Sequence, residues 1–442
     1  MNMKEMIIIR RPRLFIFLLC AFMLPGQLLL CGGNEKSADT TEITLKKAEE
    51  IFGRENLQLI AAKYNIKISD AQILQTKLWS NPNISIEQNV YNQTTHRFMD
   101  FTGSGNTDVS LQQLFLLAGK RDKQTKIAEI NKQANEFTFY DLLSSLKYQL
   151  RVNFYDLYFL QQSLKFYNES IPKIEETITV VEKAYEKRSM LLSDVIRLKS
   201  LLVTLQNEKL SIINQIDDME SNFAVFFNDK SEKYYVPVMS AQMFDSLSVE
   251  VLKADSLLEI AYENRPDLKI SKNAIKLDEA NITLQKSLAV PDLTVSARFS
   301  RQGSYITDYY ALAVSIDLPF FNRNQGNIEA SQITLKQDEI NNMQVKNNIR
   351  KDVIASYYKA VETDKLYKQL DKKFTAQYQA LAAGMVSNFK QKYATIIEFT
   401  DFFESYRASI LELNQLQNNR IDSFETLNYK TGRDVLLPAT SN

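Results

Sequence analysis

The chain has 442 residues, 53 Lys+Arg against 53 Asp+Glu, one His, two Cys and one Trp. Balanced charge excludes a phosphate-backbone binder, which needs a surplus of Lys and Arg, and the lone His96 excludes catalysis or metal binding built on several histidines. With 11 Gly and 9 Pro, far below ordinary usage of about 7% and 5%, the chain must run in long uninterrupted elements.

The first 33 residues read as an export leader. Lys4, Arg10, Arg11 and Arg13 precede the apolar run Leu14 to Leu24, which is too short to span a bilayer, and Pro25-Gly26 breaks it. Leu28-Leu29-Leu30-Cys31-Gly32-Gly33 resembles a lipoprotein box, with Leu30 where a small residue is usual. Lipidation of Cys31 and ordinary cleavage after it are both open. Both cysteines, Cys20 and Cys31, fall in this region, so the exported body is held by packing or by oligomerisation rather than by disulfides.

Residues 34–228 and 249–442 read as two copies of one pattern, offset by roughly 204 to 209 residues and joined by a linker at 229–248. Pro82 matches Pro291, Leu59 matches Leu268, and Tyr185 matches Phe389. Each copy begins with an amphipathic helix, about 44–79 and 249–288. A hairpin follows, at 82–116 and at 291–318. Two very long helices close each copy, about 121–186 and 190–228, then 326–385 and 395–430. At 1.5 Å per residue the longest spans roughly 100 Å, several times the width of a small domain, so these helices must pack along their length. Leu142, Leu146, Leu150, Phe154, Leu157 and Leu160 keep the spacing of threes and fours that such packing needs. So do Leu191, Val195, Leu198, Leu202, Leu205 and Leu210.

The hairpin strands alternate. Ile84, Ile86 and Val90 oppose Asn83, Ser85, Glu87 and Asn89, and Val109, Leu111 and Phe115 oppose Ser110, Gln112 and Leu114. In the second copy Leu293, Val295, Ala297 and Phe299 oppose Thr294, Ser296, Arg298 and Ser300, while Tyr310, Leu312, Val314, Ile316 and Leu318 oppose Ala311, Ala313, Ser315 and Asp317. Strands of about ten residues cross an outer membrane when tilted. An open sheet edge in lipid leaves backbone groups unpaired, and a bacterial barrel needs at least about eight strands. If these four strands enter a membrane, the chain must oligomerise to close them.

These features resemble the TolC family of outer-membrane efflux factors over roughly 42–434. The resemblance rests on the duplication, on Asn81-Pro82 and Val290-Pro291 before the strands, and on Gln112 to Arg121 with its counterpart Asp317 to Gly326. Ala118-Gly119-Lys120-Arg121 and Arg323-Asn324-Gln325-Gly326 are similar to the cation-efflux branch, the outer factors of copper/silver and cobalt–zinc–cadmium exporters.

The resemblance implies a mixed, mainly α fold: a transmembrane β-barrel with four strands per chain, closed by trimerisation and continued by a long periplasmic α-helical barrel. It implies a passive channel in the cell outer membrane, embedded in its lipid. Its partners would be a periplasmic adaptor and an inner-membrane pump of the resistance–nodulation–division type. Drug export or type I protein secretion remains an alternative, and so does a periplasmic coiled-coil scaffold. No enzyme constellation, cofactor motif, metal cluster or nucleic-acid surface stands out. Glu87, Arg298 and Asp317 lie on the polar parity and are the candidates to face the channel water. Arg188, Asp194, Lys392 and Glu398 flank the helix-to-helix returns, where the family places its gate and adaptor contact.

Overall fold

A computed structural model of the chain describes residues 40–230, 233–239, 247–302, 306–370, 374–391 and 393–436. The leader, Cys31 and Lys392 lie outside the described residues.

The first copy runs β1 (Thr40–Ile43), α1 (Leu45–Glu55), α2 (Leu57–Lys77), β2 (Asn83–Gln88), a short ribbon β3 (Tyr91–Asn92) and β4 (Arg97–Phe98), and β5 (Thr107–Phe115). It continues with α3 (Lys120–Glu186), α4 (Leu192–Phe227) and β6 (Tyr234–Pro237). The second copy runs α5 (Ala254–Asn264), α6 (Pro266–Leu288), β7 (Leu293–Gln302), β8 (Thr307–Ile316), α7 (Gln325–Gln369), α8 (Phe374–Lys390) and α9 (Ile396–Thr431).

The duplication reaches individual backbone conformations. α4 and α9 have 36 residues each, and each ends on a left-handed residue, Asn228 (φ 50°) and Gly432 (φ 68°). α3 and α7 each start from one, Gly119 (φ 65°) and Asn324 (φ 60°). Glycine pays nothing for this region and asparagine pays little, which is why these two residue types stand at all four places.

Where the sequence predicts one helix over 44–79 there are two. Asn56 takes an extended conformation, ends α1, and caps α2 by accepting the Leu59 N–H on Oδ1 at 3.1 Å. Its Nδ2 also donates to the Phe226 carbonyl at 3.2 Å, tying this bend to the end of α4. The predicted helix 249–288 divides at the matching place. Pro266 opens α6, and it holds Arg265 extended because a residue before proline is kept out of the helical region. The predicted helix 326–385 is likewise divided, since α7 ends at an extended Leu370 and α8 starts at Phe374. Two strand pairs were not predicted: the β3–β4 ribbon between β2 and β5, and β1 with β6, which pair in parallel with Ile43 opposite Pro237, β6 lying inside the segment expected to be linker.

Buried apolar residues gather in two clusters. One surrounds the β1–β6 pair, where Phe52, Leu150, Phe154, Phe223, Tyr235, Leu257, Val353 and Leu427 of both copies meet. The other lies along the far halves of the long helices, with Ile174, Val181, Leu198, Leu205, Phe389, Phe399 and Phe403. Most of the predicted stripe is in these cores. Leu191 (69% exposed) and Leu210 (55% exposed) are not, the former because it sits at the N-cap of α4 rather than in the helix. No helix among the described residues is long and apolar enough to cross a membrane.

The two hairpins merge into one antiparallel sheet of order β2-β5-β7-β8, with β5 and β7 joining the copies. Directly paired residues of an antiparallel sheet share a face. The register places Ile84, Ile86, Leu111, Val109, Ala297, Phe299, Leu312 and Tyr310 together, and Ser85, Glu87, Asp108, Ser110, Ser296, Arg298, Ala313 and Ala311 on the opposite face. Within one chain the apolar face is bare: Ile86 is 68% and Leu312 84% exposed.

Candidate functional site

On the polar face, Glu87 stands directly opposite Asp108 and Arg298 opposite Ser110. Arg298 donates to Asp108 Oδ1 through Nη2 at 2.8 Å and Nε at 3.2 Å. The structure thus gathers Glu87, Asp108 and Arg298 into one charged patch. Asp108 was not singled out from the sequence, although its parity with Ser110 and Gln112 places it on the polar face. Asp317 follows the last residue of β8, Ile316, and lies beyond the paired ladder, apart from that patch.

The loop between β2 and β5 is organised around Asp100, which is 3% exposed. Its carboxylate accepts from Thr95 Oγ1 (2.6 Å), Asn92 Nδ2 (3.1 Å) and the Thr102 N–H (3.0 Å). The Thr102 and Thr95 hydroxyls hold its pKa down at about 2 against the effect of burial. A Cβ on Gly105 would lie 1.5 Å from the Asp100 carbonyl oxygen, so only glycine lets the loop close over this acid. His96 sits on the same loop with a left-handed backbone, and its Nδ1 is 3.0 Å from the Tyr91 hydroxyl.

Between sheet and helix, the Ala118 to Arg121 stretch acts as a fastening. Ala118 and Gly119 both take positive φ, turning the chain from β5 into α3. Lys120, buried except for 4% of its side chain, donates to Asp292 Oδ1 and to the Val290 carbonyl, both at 2.7 Å. The Leu117 N–H meets the same Asp292 oxygen at 2.9 Å. The Arg121 guanidinium lies 4.2 Å over the Trp79 ring, which packs edge-on against Phe115. Asn324 does the corresponding work in the second copy, donating to Gln285 Oε1 at 2.8 Å. Replacing Lys120 by Met leaves Asp292 without its cation and is expected to cost about 1–3 kcal/mol. Thermal unfolding of the detergent-solubilised chain measures it, and an unchanged midpoint would contradict the fastening role.

At the returns, α3 ends through Arg188, held at φ 58° while its N–H reaches the Tyr185 carbonyl at 2.8 Å. Asp194 then accepts the Leu191 N–H at 3.1 Å. Glu398 accepts the Thr395 N–H at 2.7 Å, and the Thr395 hydroxyl accepts the Glu398 N–H at 3.3 Å, which completes a capping box. The Thr395 N–H holds the Glu398 carboxyl below its usual range. The two matched acids therefore cap α4 and α9 and meet the positive ends of their helix dipoles. Lys390 bonds Glu176 at 2.6 Å and binds α8 to α3 just before the second return.

Three buried polar centres escaped the sequence reading because their partners are far away in the chain. Arg151 bonds Glu49 (2.6 Å), Glu425 (2.9 Å) and Asp434 (2.9 Å). Arg420 bonds Asp364 at 2.7 Å and the Leu247 carbonyl at 2.6 Å. Glu220 takes the Tyr235 N–H at 3.0 Å, and burial pushes its carboxyl up to about 7. Among the described residues no three His, Cys, Asp or Glu stand close enough to hold a metal ion.

Residues 257–431 match the family described as outer membrane efflux protein. The chain is 21% identical to the cobalt-zinc-cadmium resistance protein CzcC of Cupriavidus metallidurans over 318 residues, covering 67% of this chain and 68% of that protein. The fold is that of crystallised CusC, whose structures concern folding and transmembrane channel formation, with a TM-score of 0.70 at 16% identity, over 93% of this chain and 97% of that one. It is also that of the CmeC outer membrane channel of Campylobacter jejuni, with a TM-score of 0.71 at 11% identity, over 90% and 87%.

Proposed function

We infer, from the match of residues 257–431 to the outer membrane efflux protein family and from the fold, a passive outer-membrane channel that exports metal cations or small toxic compounds from the periplasm. The observation that carries this is the sheet: four strands, one bare apolar face, one polar face, and two edges, β2 and β8, that pair with nothing among the described residues. In lipid such edges must be satisfied by other copies, and a homotrimer whose sheets join edge to edge satisfies them all. α3 has 67 residues and is therefore roughly 100 Å long, enough to carry the conduit well into the periplasm.

Glu87, Asp108 and Arg298, with Asp317 near the rim, would then repeat around the water-filled wall and tune which ions pass. The returns at Arg188, Asp194, Lys392 and Glu398 would form the periplasmic mouth, where an adaptor and a proton-driven inner-membrane pump dock. No energy source is needed in the channel itself. The name of the Cupriavidus relative supports divalent transition-metal cations as cargo.

The purified chain is expected to give stepwise conductance in a planar bilayer, and Glu87→Lys should shift its preference toward anions. A deletion strain should become sensitive to cobalt, zinc or cadmium. Absence of conductance, with release of the chain from membranes by carbonate alone, would overturn the channel reading in favour of a periplasmic scaffold.

A further inference from the structure

α6 and α7 lie against each other along a seam of polar side chains. Asn342 Nδ2 donates to Ser271 Oγ at 3.1 Å, and Asn281 Nδ2 donates to Ser331 Oγ at 3.3 Å. Asn324 Nδ2 reaches Gln285 Oε1 at 2.8 Å. Each of these rungs matches a donor with an acceptor. Asp278 and Asp338, coupled across the same seam, are not matched in this way, because two ionised carboxylates can only accept; Asp338 Oδ1 accepts instead from Asn341 Nδ2 of its own helix at 2.9 Å.

Asp278 is 8% exposed, and its Oδ2 has no hydrogen-bond partner among the described residues. Burial, and then the charge of Asp338, push the Asp278 carboxyl up to about 6. Among the described residues no lysine or arginine forms an ion pair with either acid of this pair. Lys276 and Glu279 on α6, and Lys336 and Glu339 on α7, flank it in sequence, and none of them forms an ion pair with it among the described residues. On α3, the other helix against α6, Lys126 pairs with Glu129 and Lys132 with Asp70. Among the described residues α3 gives this stretch of α6 a neutral hydrogen bond, the Ile130 carbonyl accepting from Asn273 Nδ2 at 3.0 Å.

The first copy shows what an uncharged version looks like. The offset that matches Asn56 to Arg265 and Pro82 to Pro291 brings Ser69 onto Asp278. Ser69 is 1% exposed, and its hydroxyl accepts from Asn135 Nδ2 at 2.8 Å. The same buried place is thus a neutral donor–acceptor rung in one copy and an acid pair in the other.

We propose that Asp278 and Asp338 share one proton, and that this proton latches α6 to α7. With the proton present, the hydroxyl of one carboxyl donates to the ionised oxygen of its neighbour, and the rung is satisfied like the others. When the proton leaves to solvent, two like charges face each other, that of Asp278 nearly cut off from water, and the seam is pushed apart. The folded chain holds this proton to higher pH than the unfolded chain does. The stabilisation is therefore full in acid, below the ordinary carboxylate range, and is lost as pH rises through about 6. The proposal concerns packing within one chain and does not depend on what the channel carries.

The test compares the detergent-solubilised full chain with Asp278→Asn, and with Asp278→Ser, which installs the residue of the first copy. Melting is followed from about pH 4.5 to about pH 8 in the presence of a chelator. The variants should match the parent in acid and melt about 2–4 °C higher at the alkaline end. In the difference between parent and Asp278→Asn, where the band of Glu220 cancels, the infrared C=O absorption of a protonated carboxyl should be present in acid and fade over the same interval. A difference in melting that is equal at every pH, or an infrared band that does not titrate, would overturn the latch. So would a parent that gains stability from added magnesium at neutral pH while the variants do not, since the pair would then be holding a cation instead of a proton.

Discussion

Leu312→Lys is expected to leave the soluble part of the chain folded and to abolish stable insertion in the outer membrane. Leu312 lies on the apolar face opposite Ala297, in the middle of β8, and is 84% exposed in the single chain. A lysine facing lipid near the mid-plane costs about 2–4 kcal/mol per chain, and threefold symmetry repeats the cost around the barrel. Ala311, one residue earlier, is on the opposite face beside Arg298. Ala311→Lys should therefore insert normally and change ion selectivity instead. Membrane fractionation and heat-modified gel mobility read the first effect, and reversal potentials read the second. If both variants inserted equally well, the assignment of the two faces would be wrong.

Arg151→Met should be the most destabilising single change outside the sheet. The guanidinium is 7% exposed and meets three acids from three parts of the chain: Glu49 in α1, Glu425 in α9, and Asp434 after the end of α9. Its removal leaves Glu425, 5% exposed, as a buried charge without its cation, which typically costs about 3–5 kcal/mol. Burial already raises the Glu425 carboxyl, and Arg151 is what opposes that rise. Adding Glu425→Gln to Arg151→Met should therefore recover part of the loss, whereas Glu425→Gln alone should cost less than Arg151→Met alone. Asp434 reports the same clasp through pH. Burial raises its carboxyl, but Arg151 and Lys147 outweigh that and hold it below the usual range. Its contribution is present at neutral pH and is lost as acid reaches that lowered pKa, and this acid sensitivity should be reduced in Arg151→Met, where Lys147 alone still pairs with Asp434. Chemical denaturation at two pH values checks both statements, and a midpoint within error of the parent would remove the clasp from the stability of the fold.

Much of the architecture was legible because it is written in local pattern. Scarcity of Gly and Pro implied long helices, period-two alternation located the four main strands, and the export leader together with the unclosed strand number implied assembly. What escaped the sequence depends on contacts between distant segments. Thr40–Ile43 and Tyr234–Pro237 are too short to announce themselves as strands, and each is extended because the other is there to pair with it. The break at Asn56 is made by a side chain that caps α2 and reaches Phe226, a partner 170 positions away. The matching break at Arg265-Pro266 is marked in the sequence by its proline. Among the site residues, the register sets Glu87 and Arg298 on one face of the sheet, the face their parity indicates, and the capping pattern of Thr395 to Glu398 was there to be read. The pairing of Arg298 with Asp108, and the burial of Arg151, Arg420 and Asp278, follow from the packing of helices and strands from both copies, which composition and spacing do not encode.

The unpaired edges β2 and β8 carry a genetic consequence. When each finished channel draws on three chains, a cell that makes normal and insertion-defective copies in equal amounts assembles only about one channel in eight from normal chains alone, provided the mixture is random. An allele such as Leu312→Lys should then behave as dominant and suppress export well beyond its share of the message. A null allele at the same locus should be recessive. The contrast between the two can be scored in a merodiploid strain by growth alone.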